Sequence, residues 1–489
     1  MLWKIFSSLV IFMLLADGTP AESQNAASPA SPFAMVSNGN YRTNPAYPAA
    51  LYNAGARMAR VEVTFGDVRK QAGNDPDQWD WSHFETLVKL KKTYPGVDLL
   101  LLLGYSAPWA EDAAEQKSGR TAAQRGVRIM PPDNPANLYG HYVYETVRRY
   151  KHLTRYWESW NEPDLPGFAF FHGNGKDFFP YQKACYLAAK KADPNCKVLF
   201  AAMCYANAEG YLATHGLNAP SIAPPQSCFF EEYLQECVKD PDARKNHYYF
   251  DIMNQHTYSR ASDLYDYAMI DRKLMQTYLK SEKPLWITEM GFEDAGGLFG
   301  GAPDEYCDYV LQSFAWGAMA GVERFFHFQL DNSNALGLYD GMLGKPKPVL
   351  TTYRDVLTKE FTGATFVKQW HGSRGVDFLA GHSVYKTDWK AGYDLFEFRG
   401  KGGKHFWIAF ADTDQPMTIK VPALSKIPTA ILIDRHNNRT RITAKNGGYE
   451  IILPGATNRA GWPLADNPKA KALGEPEHLV GGATFVLVE

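Results

Sequence analysis

The chain has 489 residues, with 51 Lys+Arg against 53 Asp+Glu, for a formal net charge of −2. That balance excludes the basic footprint of a nucleic-acid binder, and 45% hydrophobic with 21% charged residues excludes wholesale disorder. Aromatic residues, 14% of the chain, are the one excess, pointing either to ligand platforms or to a large core.

At the N-terminus Lys4 precedes an apolar run from Ile5 to Leu15, followed by the small residues around Thr19, Pro20 and Ala21. This is the layout of a secretory signal peptide over residues 1–21, cut after Ala21. The run falls short of the roughly 20 residues that cross a bilayer, and no later stretch reaches that length. The expected product is secreted or periplasmic, without stable membrane insertion. Residues 22–32 are polar and Pro-bearing, a disordered leader by composition.

From residue 33 to 358 short apolar runs alternate with segments of helical period. Strands are expected at Phe33–Val36, Met58–Val63, Val97–Leu103, Thr154–Trp160, Lys197–Met203, Phe250–Gln255, Pro284–Thr288 and Glu323–Phe328. Helices are expected at 81–92, 137–150, 180–192, 268–279 and 305–320. Eight strand–helix units fit a (β/α)8 TIM barrel. The competing open doubly wound sheet lacks its glycine fingerprint, because Phe33–Val36 leads into Ser-Asn-Gly-Asn. The charged insertion 110–132 reads as either a flap over a cleft or a solvated loop. His172-Gly173-Asn174-Gly175-Lys176 lacks the spacing and the Ser/Thr of a phosphate loop. All six cysteines fall between Cys185 and Cys307. In an exported chain they are expected to form one or two bridges beside buried thiols. None forms a C-x-x-C pair with a matching His set, so no zinc site is expected.

After residue 358 the texture changes to short alternating runs split by Gly, Asn and Pro: 393–398, 405–411, 417–421, 429–433, 448–452 and 483–488. The region 359–489 therefore reads as an antiparallel β-sandwich, with a Pro/Gly-rich excursion over 453–480.

The chemical signal lies where two strands end. Trp157-Glu158-Ser159-Trp160-Asn161-Glu162-Pro163 closes the fourth unit, and Pro284-Leu285-Trp286-Ile287-Thr288-Glu289-Met290-Gly291 closes the seventh. Barrel sites open at the carboxyl ends of the strands, so Glu162 and Glu289 share one cup. Facing carboxylates are the equipment for cleaving an acetal: one donates a proton to the leaving oxygen while the other attacks or stabilises the anomeric carbon.

Asn161-Glu162, His256-x-Tyr258 after the sixth strand and Glu289 resemble, in order and spacing, the retaining glycoside hydrolases of clan A over residues 33–358. Gly104-Tyr105-Ser106-Ala107-Pro108-Trp109 and the trailing β region look most like family 39 and its relatives. The resemblance implies a carbohydrate substrate, no metal or organic cofactor, Glu162 as acid/base, Glu289 as nucleophile and net retention. A silent carbohydrate-binding barrel and a transglycosylase with the same two glutamates are the alternatives. Asn161 is a candidate for binding a sugar 2-hydroxyl, and Tyr258 for donating its phenol to Glu289. His256 is a candidate for holding a sugar hydroxyl or the acid. Arg60 occupies the position of an Arg that supports the nucleophile in clan members, or else pairs with Glu62. Trp109 is either a sugar platform or a packed rim residue. Clan members often carry a Trp at the end of the eighth strand; here the aligned residue is His327, so the expected platform has changed.

Overall fold

The computed structural model describes residues 31–37, 42, 44–69, 79–111, 117, 136–165, 167, 170–215, 227–296, 300–332, 335–372, 392–425, 429–458 and 478–489. The signal peptide, nearly all of the leader and of the 110–132 insertion, and much of the 453–480 excursion lie outside them.

Eight strands build the first sheet: β1 (Phe33–Ser37), β2 (Met58–Glu62), β3 (Asp98–Leu102), β4 (Tyr156–Glu158), β5 (Lys197–Leu199), β6 (Met253–Thr257), β7 (Leu285–Met290) and β8 (Arg324–His327). Their order is β5-β4-β3-β2-β1-β8-β7-β6, with every pairing parallel. The ends meet through bridges pairing Leu199 with Ile252 and Met203 with Gln255. Backbone bonds across the seam include His256 N to the Met203 carbonyl at 2.7 Å. The result is a TIM barrel with each strand where the apolar runs predict it. Packing begins slightly earlier than expected: Ser31 is buried and the Pro32 carbonyl accepts from Phe325 N at 2.9 Å, so these two residues belong to the barrel rather than to a disordered leader.

Side-chain alternation sorts each strand between two cores. Ala34, Val36, Met58, Leu100, Tyr156, Leu199, Trp286 and Phe326 fill the barrel. Their neighbours, among them Met35, Ala59, Leu99, Trp157, Val198, Ile287 and Phe325, pack outward beneath the helices. Arg60 and Glu158 have the inward parity of Met58 and Tyr156, which is how charge enters an otherwise apolar interior.

The helices Ser82–Thr93, Leu138–Tyr150, Gly175–Ala192, Asp263–Leu279 and Pro303–Met319 cover this sheet. The third begins five residues before the predicted Pro180, because Asn174 and Asp177 form a reciprocal capping box at its start. Such a cap contributes about 1 kcal/mol and offsets only part of the cost of Pro180, so the rest must come from packing of the helix's buried face, Phe178, Gln182, Cys185 and Ala189 among it. The Gly-rich stretch 172–176 is thus a helix entry. Its Gly175 is required by packing, since a Cβ there would sit 2.0 Å from the Phe229 carbonyl oxygen.

After a short parallel pair, β9 (Asp331–Asn332) and β10 (Tyr339–Asp340), the chain forms the sandwich. Its strands are β11 (Thr365–His371), β12 (Tyr393–Arg399), β13 (His405–Ala411), β14 (Met417–Pro422), β15 (Thr429–Asp434), β16 (Arg439–Thr443), β17 (Gly448–Leu453) and β18 (Phe485–Val488). One sheet runs β11-β12-β13-β18-β15-β16 and the other is β14-β17. Trp407, Ile419, Val421, Tyr449 and Leu453 fill the space between them. The two strands not predicted, β11 and β16, are the edges of the larger sheet. Edge strands carry polar residues that discourage pairing with other chains, and so lack the alternation that betrays inner strands.

The expected disulfides are absent: all six cysteines are buried free thiols. Several are satisfied by neighbours other than cysteine. Cys204 donates to Asp164 at 3.3 Å, Cys228 to Asn207 at 3.3 Å and Cys307 to the Pro303 carbonyl at 3.4 Å. Cys185, Cys237 and Cys307 lie on helices, and Cys196, Cys204 and Cys228 lie immediately before a strand or helix, all at buried positions that take small apolar side chains. The urea-unfolded protein should therefore titrate six thiols without reductant, and dithiothreitol should leave its Tm unchanged. Fewer thiols, or a Tm lowered by reductant, would contradict this state.

Candidate active site

The site grows from one buried cation. Arg60, in the middle of β2, has no exposed surface. Its Nε donates to Glu158 Oε2 at 2.6 Å and its Nη2 to Glu158 Oε1 at 3.1 Å. The same Nη2 reaches Asn161 Oδ1 at 2.8 Å, while Nη1 reaches Glu289 Oε1 at 2.5 Å. One planar guanidinium therefore ties β2 to β4, to the loop after β4, and to β7. The alternative pairing with Glu62 is not formed through a side-chain hydrogen bond. Glu62 instead accepts from the Tyr105 phenol at 3.4 Å.

Two local departures from regular backbone bring the glutamates in. Glu162 lies past the end of β4 with φ of 40°, a left-handed conformation unusual for a side chain of this size. The bond from Glu162 N to the Ala202 carbonyl, 2.9 Å, holds that turn against the β5 exit. In β7 the register with β6 runs Gln255 to Ile287 and then His256 to Glu289, which leaves Thr288 as an extra, bulged residue. Strict alternation would turn Glu289 away from Thr288. With the bulge, Thr288 bonds His256 while Glu289 bonds Arg60 and Tyr258, so both face the interior.

Glu162 Oε1 lies 2.8 Å from His256 Nδ1, which is 3.6 Å from Glu289 Oε2. The other ring nitrogen of His256 is 3.0 Å from Thr288 Oγ1. The Tyr258 phenol donates to Glu289 Oε2. One oxygen each of Glu162 and Glu289 and a ring nitrogen of His256 all fall within 4.8 Å of one another. Three such ligands could in principle hold a cation. However, each Glu289 oxygen already accepts a hydrogen bond, one from a guanidinium and one from a phenol, and a metal ion there would sit close to Arg60's positive charge.

Burial pushes the Glu162 carboxyl up to about 7, with Arg60 opposing and Glu158 adding to the rise. Burial also raises Glu289, against the pull of His256, Arg60 and the Tyr258 hydrogen bond. Desolvation lowers the His256 imidazole to about 4, so it is neutral near neutral pH.

Six predicted site residues, Arg60, Asn161, Glu162, His256, Tyr258 and Glu289, thus meet in one hydrogen-bonded cluster. Two do not. The Trp109 indole donates to the Arg69 carbonyl at 2.8 Å, packs edge-on against Phe65 at 5.4 Å and carries the Arg69 guanidinium 4.5 Å from a ring centroid. Trp109 is thus packed into the rim and half-buried, outside the hydrogen-bonded cluster. His327 is buried on the opposite side of β8, bonded to the Tyr306 phenol at 2.6 Å and flanked by the Tyr306 and Tyr353 rings, each at 5.6 Å. The residue that turns inward at the end of β8 is Phe328, half-buried and edge-on to Tyr258 at 5.7 Å. His327 therefore does not face the cluster, because adjacent residues of a strand point to opposite faces. Sequence reasoning also missed Glu158, Asn254 and Thr288. Each is a polar residue inside an apolar strand, the available signal for a buried network.

Residues 144–353 match the family model described as the glycosyl hydrolase catalytic core, a stretch that contains both glutamates. The chain is a glycoside hydrolase. Among curated proteins, none matches its sequence. The fold of the hydrolase is similar to that of a family 39 glycoside hydrolase from Bacteroides cellulosilyticus, at TM-score 0.60 and 15% identity over 94% of this chain and 81% of that one. It is also similar to a family 30 endoxylanase from Clostridium papyrosolvens, at 0.57 and 13% over 94% and 96%. A family 39 β-xylosidase from Caulobacter crescentus aligns at 0.53 and 13% over 94% and 96%. These likenesses show the fold, a barrel with a trailing β-sandwich.

Replacing Arg60 by Met would leave the Glu158 charge buried and unpaired. The expected cost in the hydrolase is about 3–5 kcal/mol, read as a lowered urea midpoint at unchanged m-value. A loss below about 1 kcal/mol would mean that the guanidinium does not carry the interior network.

Proposed function

We propose that the protein is an exported retaining β-glycosidase that cleaves poly- or oligosaccharides by double displacement. Glu289 attacks the anomeric carbon and Glu162 is the acid/base. The observation that carries this reading is the approach of the two carboxylates, whose facing oxygens lie within 4.8 Å. Retention works across about 5–5.5 Å between the carboxyl groups, whereas inversion needs about 6.5–9.5 Å to admit a water.

The two environments divide the labour. Glu289 accepts from Arg60 and Tyr258, hydrogen bonds that favour its ionised, nucleophilic form and fix its orientation. Glu162 is largely buried with no cation in hydrogen-bond contact among the described residues, and its raised carboxyl suits it to protonate the leaving oxygen. Once the glycosyl–Glu289 ester has formed, the Glu162 carboxylate takes a proton from water, which attacks the same anomeric carbon from the opposite face and releases Glu289. Asn161 has its amide oxygen engaged by Arg60, so the donor it offers a sugar hydroxyl is its NH2 group. Phe328, edge-on to Tyr258, supplies the apolar surface expected beneath a sugar ring. Xylans and aryl β-xylosides head the substrate panel because two of the structural neighbours are a xylanase and a xylosidase.

On an activated aryl β-glycoside, Glu289→Gln should abolish turnover, and Glu162→Ala should slow it while added azide restores it with a β-glycosyl azide as product. Proton NMR of early wild-type product should show the β-anomer first; the α-anomer first would rule out retention. Full activity in either variant would remove the assignment of roles, and sugar binding without turnover by wild type would favour a silent binding barrel.

Because Glu162 must carry its proton, the kcat/KM profile should fall as pH rises through about 7. A profile flat to pH 9 would be inconsistent with Glu162 as the acid.

Export is tested by N-terminal sequencing after expression in a bacterial host with an intact secretion pathway. The mature protein should begin at Glu22, and retention of Met1 would count against the signal peptide.

A further inference from the structure

Behind the two glutamates runs a line of buried side chains whose hydrogen-bond directions are forced. Glu158, Asn254, Thr288 and His256 are each at most 1% exposed. Asn254 approaches Glu158 Oε1 with one end of its amide at 2.7 Å and Thr288 Oγ1 with the other at 2.6 Å. Glu158, already paired with Arg60, is an acceptor only. The end of Asn254 that faces it must therefore be the NH2, which leaves the amide oxygen to face Thr288. An amide oxygen cannot donate, so the Thr288 hydroxyl spends its single proton on Asn254. Toward His256, 3.0 Å away, Thr288 then offers only a lone pair, and His256 Nε2 must carry the hydrogen. The imidazole is neutral, because burial depresses it, so its Nδ1 is a bare acceptor. That acceptor lies 2.8 Å from Glu162 Oε1. A carboxylate there would set lone pair against lone pair; a carboxylic acid makes a hydrogen bond.

We infer that Asn254 and Thr288 are positioning residues that lock His256 as its Nε2–H tautomer and thereby require Glu162 to hold the proton in the bond between them. The inference rests on the role proposed for Glu162 and deepens it: the acid is kept loaded by a directed relay in addition to burial. Reversing the relay, with Nδ1–H donating to an ionised Glu162, would turn the Thr288 hydroxyl toward His256. The Asn254 oxygen would then be left against an oxygen lone pair at 2.6 Å.

Other groups act on Glu162 from every side. Arg60 from β2 lowers its carboxyl, and Glu158 raises it. The Tyr105 phenol after β3, Asp164 on its own loop, Cys204 and Tyr205 after β5, Tyr258 after β6 and Glu289 on β7 also lie within electrostatic reach. None of these fixes which nitrogen of His256 is protonated; Thr288 does.

The test is Thr288→Val, which keeps the shape and removes the hydroxyl. Freed from Thr288, His256 can move its hydrogen to Nδ1 and stabilise ionised Glu162. The alkaline limb of kcat should then move down by about one pH unit. Turnover of a substrate with a poor leaving group should drop about tenfold relative to an activated nitrophenyl glycoside, with KM unchanged. Thr288→Ser should restore both. A Thr288→Val enzyme with the wild-type limb and leaving-group dependence would overturn the relay, while azide rescue of Glu162→Ala would still stand for the acid itself. If Thr288→Val does not fold, neutron diffraction from wild-type crystals near pH 5.5 decides. Deuterium on His256 Nε2 and on the facing Glu162 oxygen supports the relay, and deuterium on Nδ1 overturns it whether or not the protein cleaves glycosides.

Discussion

Everything in the site hangs on Arg60. A charge with no exposed surface in the middle of a barrel is tolerable only if its donors are met, and here four hydrogen bonds go to three acceptor groups. Glu158 neutralises it along two of the five N–H bonds of the guanidinium, and Asn161 and Glu289 take others. Because the fork is planar and rigid, satisfying Glu158 fixes the direction in which the remaining N–H groups point. The position of Glu289 follows from that direction. The same ion pair places Glu158 where its second role begins, since it also accepts from Asn254 and so orients the line that ends on Glu162. A lysine could neutralise Glu158 but could not hold three groups in one plane.

Regular strands alone would not build this arrangement. Period-two alternation fills the barrel with Leu100, Trp286 and Phe326, and it delivers Arg60, Glu158, Asn254 and His256 to the same interior. It cannot deliver both Thr288 and Glu289, which are adjacent, and the β7 bulge supplies that exception. Glu162 needs the second exception, a left-handed turn just beyond β4. Each irregularity sits at a residue proposed to carry chemistry, where the surrounding hydrogen bonds over-determine a conformation the backbone would otherwise avoid.

This division also explains what was legible in the sequence. Strand positions, barrel closure and the placement of the two glutamates follow from apolar periodicity and chain order, which are local and additive. The inner strands of the sandwich follow likewise, whereas β11 and β16 were hidden by the polar character of edges. Parity errors mattered more. His327 and Phe328 differ by one position, and no periodic signal says where β8 stops, so the wrong face was chosen. The aromatic excess was also misleading: Trp157, Trp160, Trp286 and Phe326 are buried in the two cores, while Tyr105, Trp109, Tyr258 and Phe328 remain half-buried near the strand ends. The partner of Arg60 was missed because contacts across the barrel join residues 98 positions apart, a separation that spacing rules do not see.

The sandwich enters the same argument through one helix. Pro303–Met319 faces the barrel so closely that a Cβ on Gly317 would meet the Phe325 ring at 2.4 Å. Its other face meets the sandwich: Arg435 pairs with Asp304 and Asp308, Gln312 bonds the Gly482 carbonyl and Thr484, and Trp316 packs edge-on to Phe396. Asp308 and Gln312 are each 1% exposed, so separating the two units would leave buried polar groups without partners. The sandwich is therefore a fixed buttress of this helix. The helix in turn carries Tyr306, whose phenol meets His327 and the Leu336 carbonyl behind the end of β8. The inward turn of Phe328 is set at that same strand end. A surface some distance from the cleft thus helps to fix one of its walls, which is a physical reason for a hydrolase to keep a second unit that contributes none of the clustered side chains.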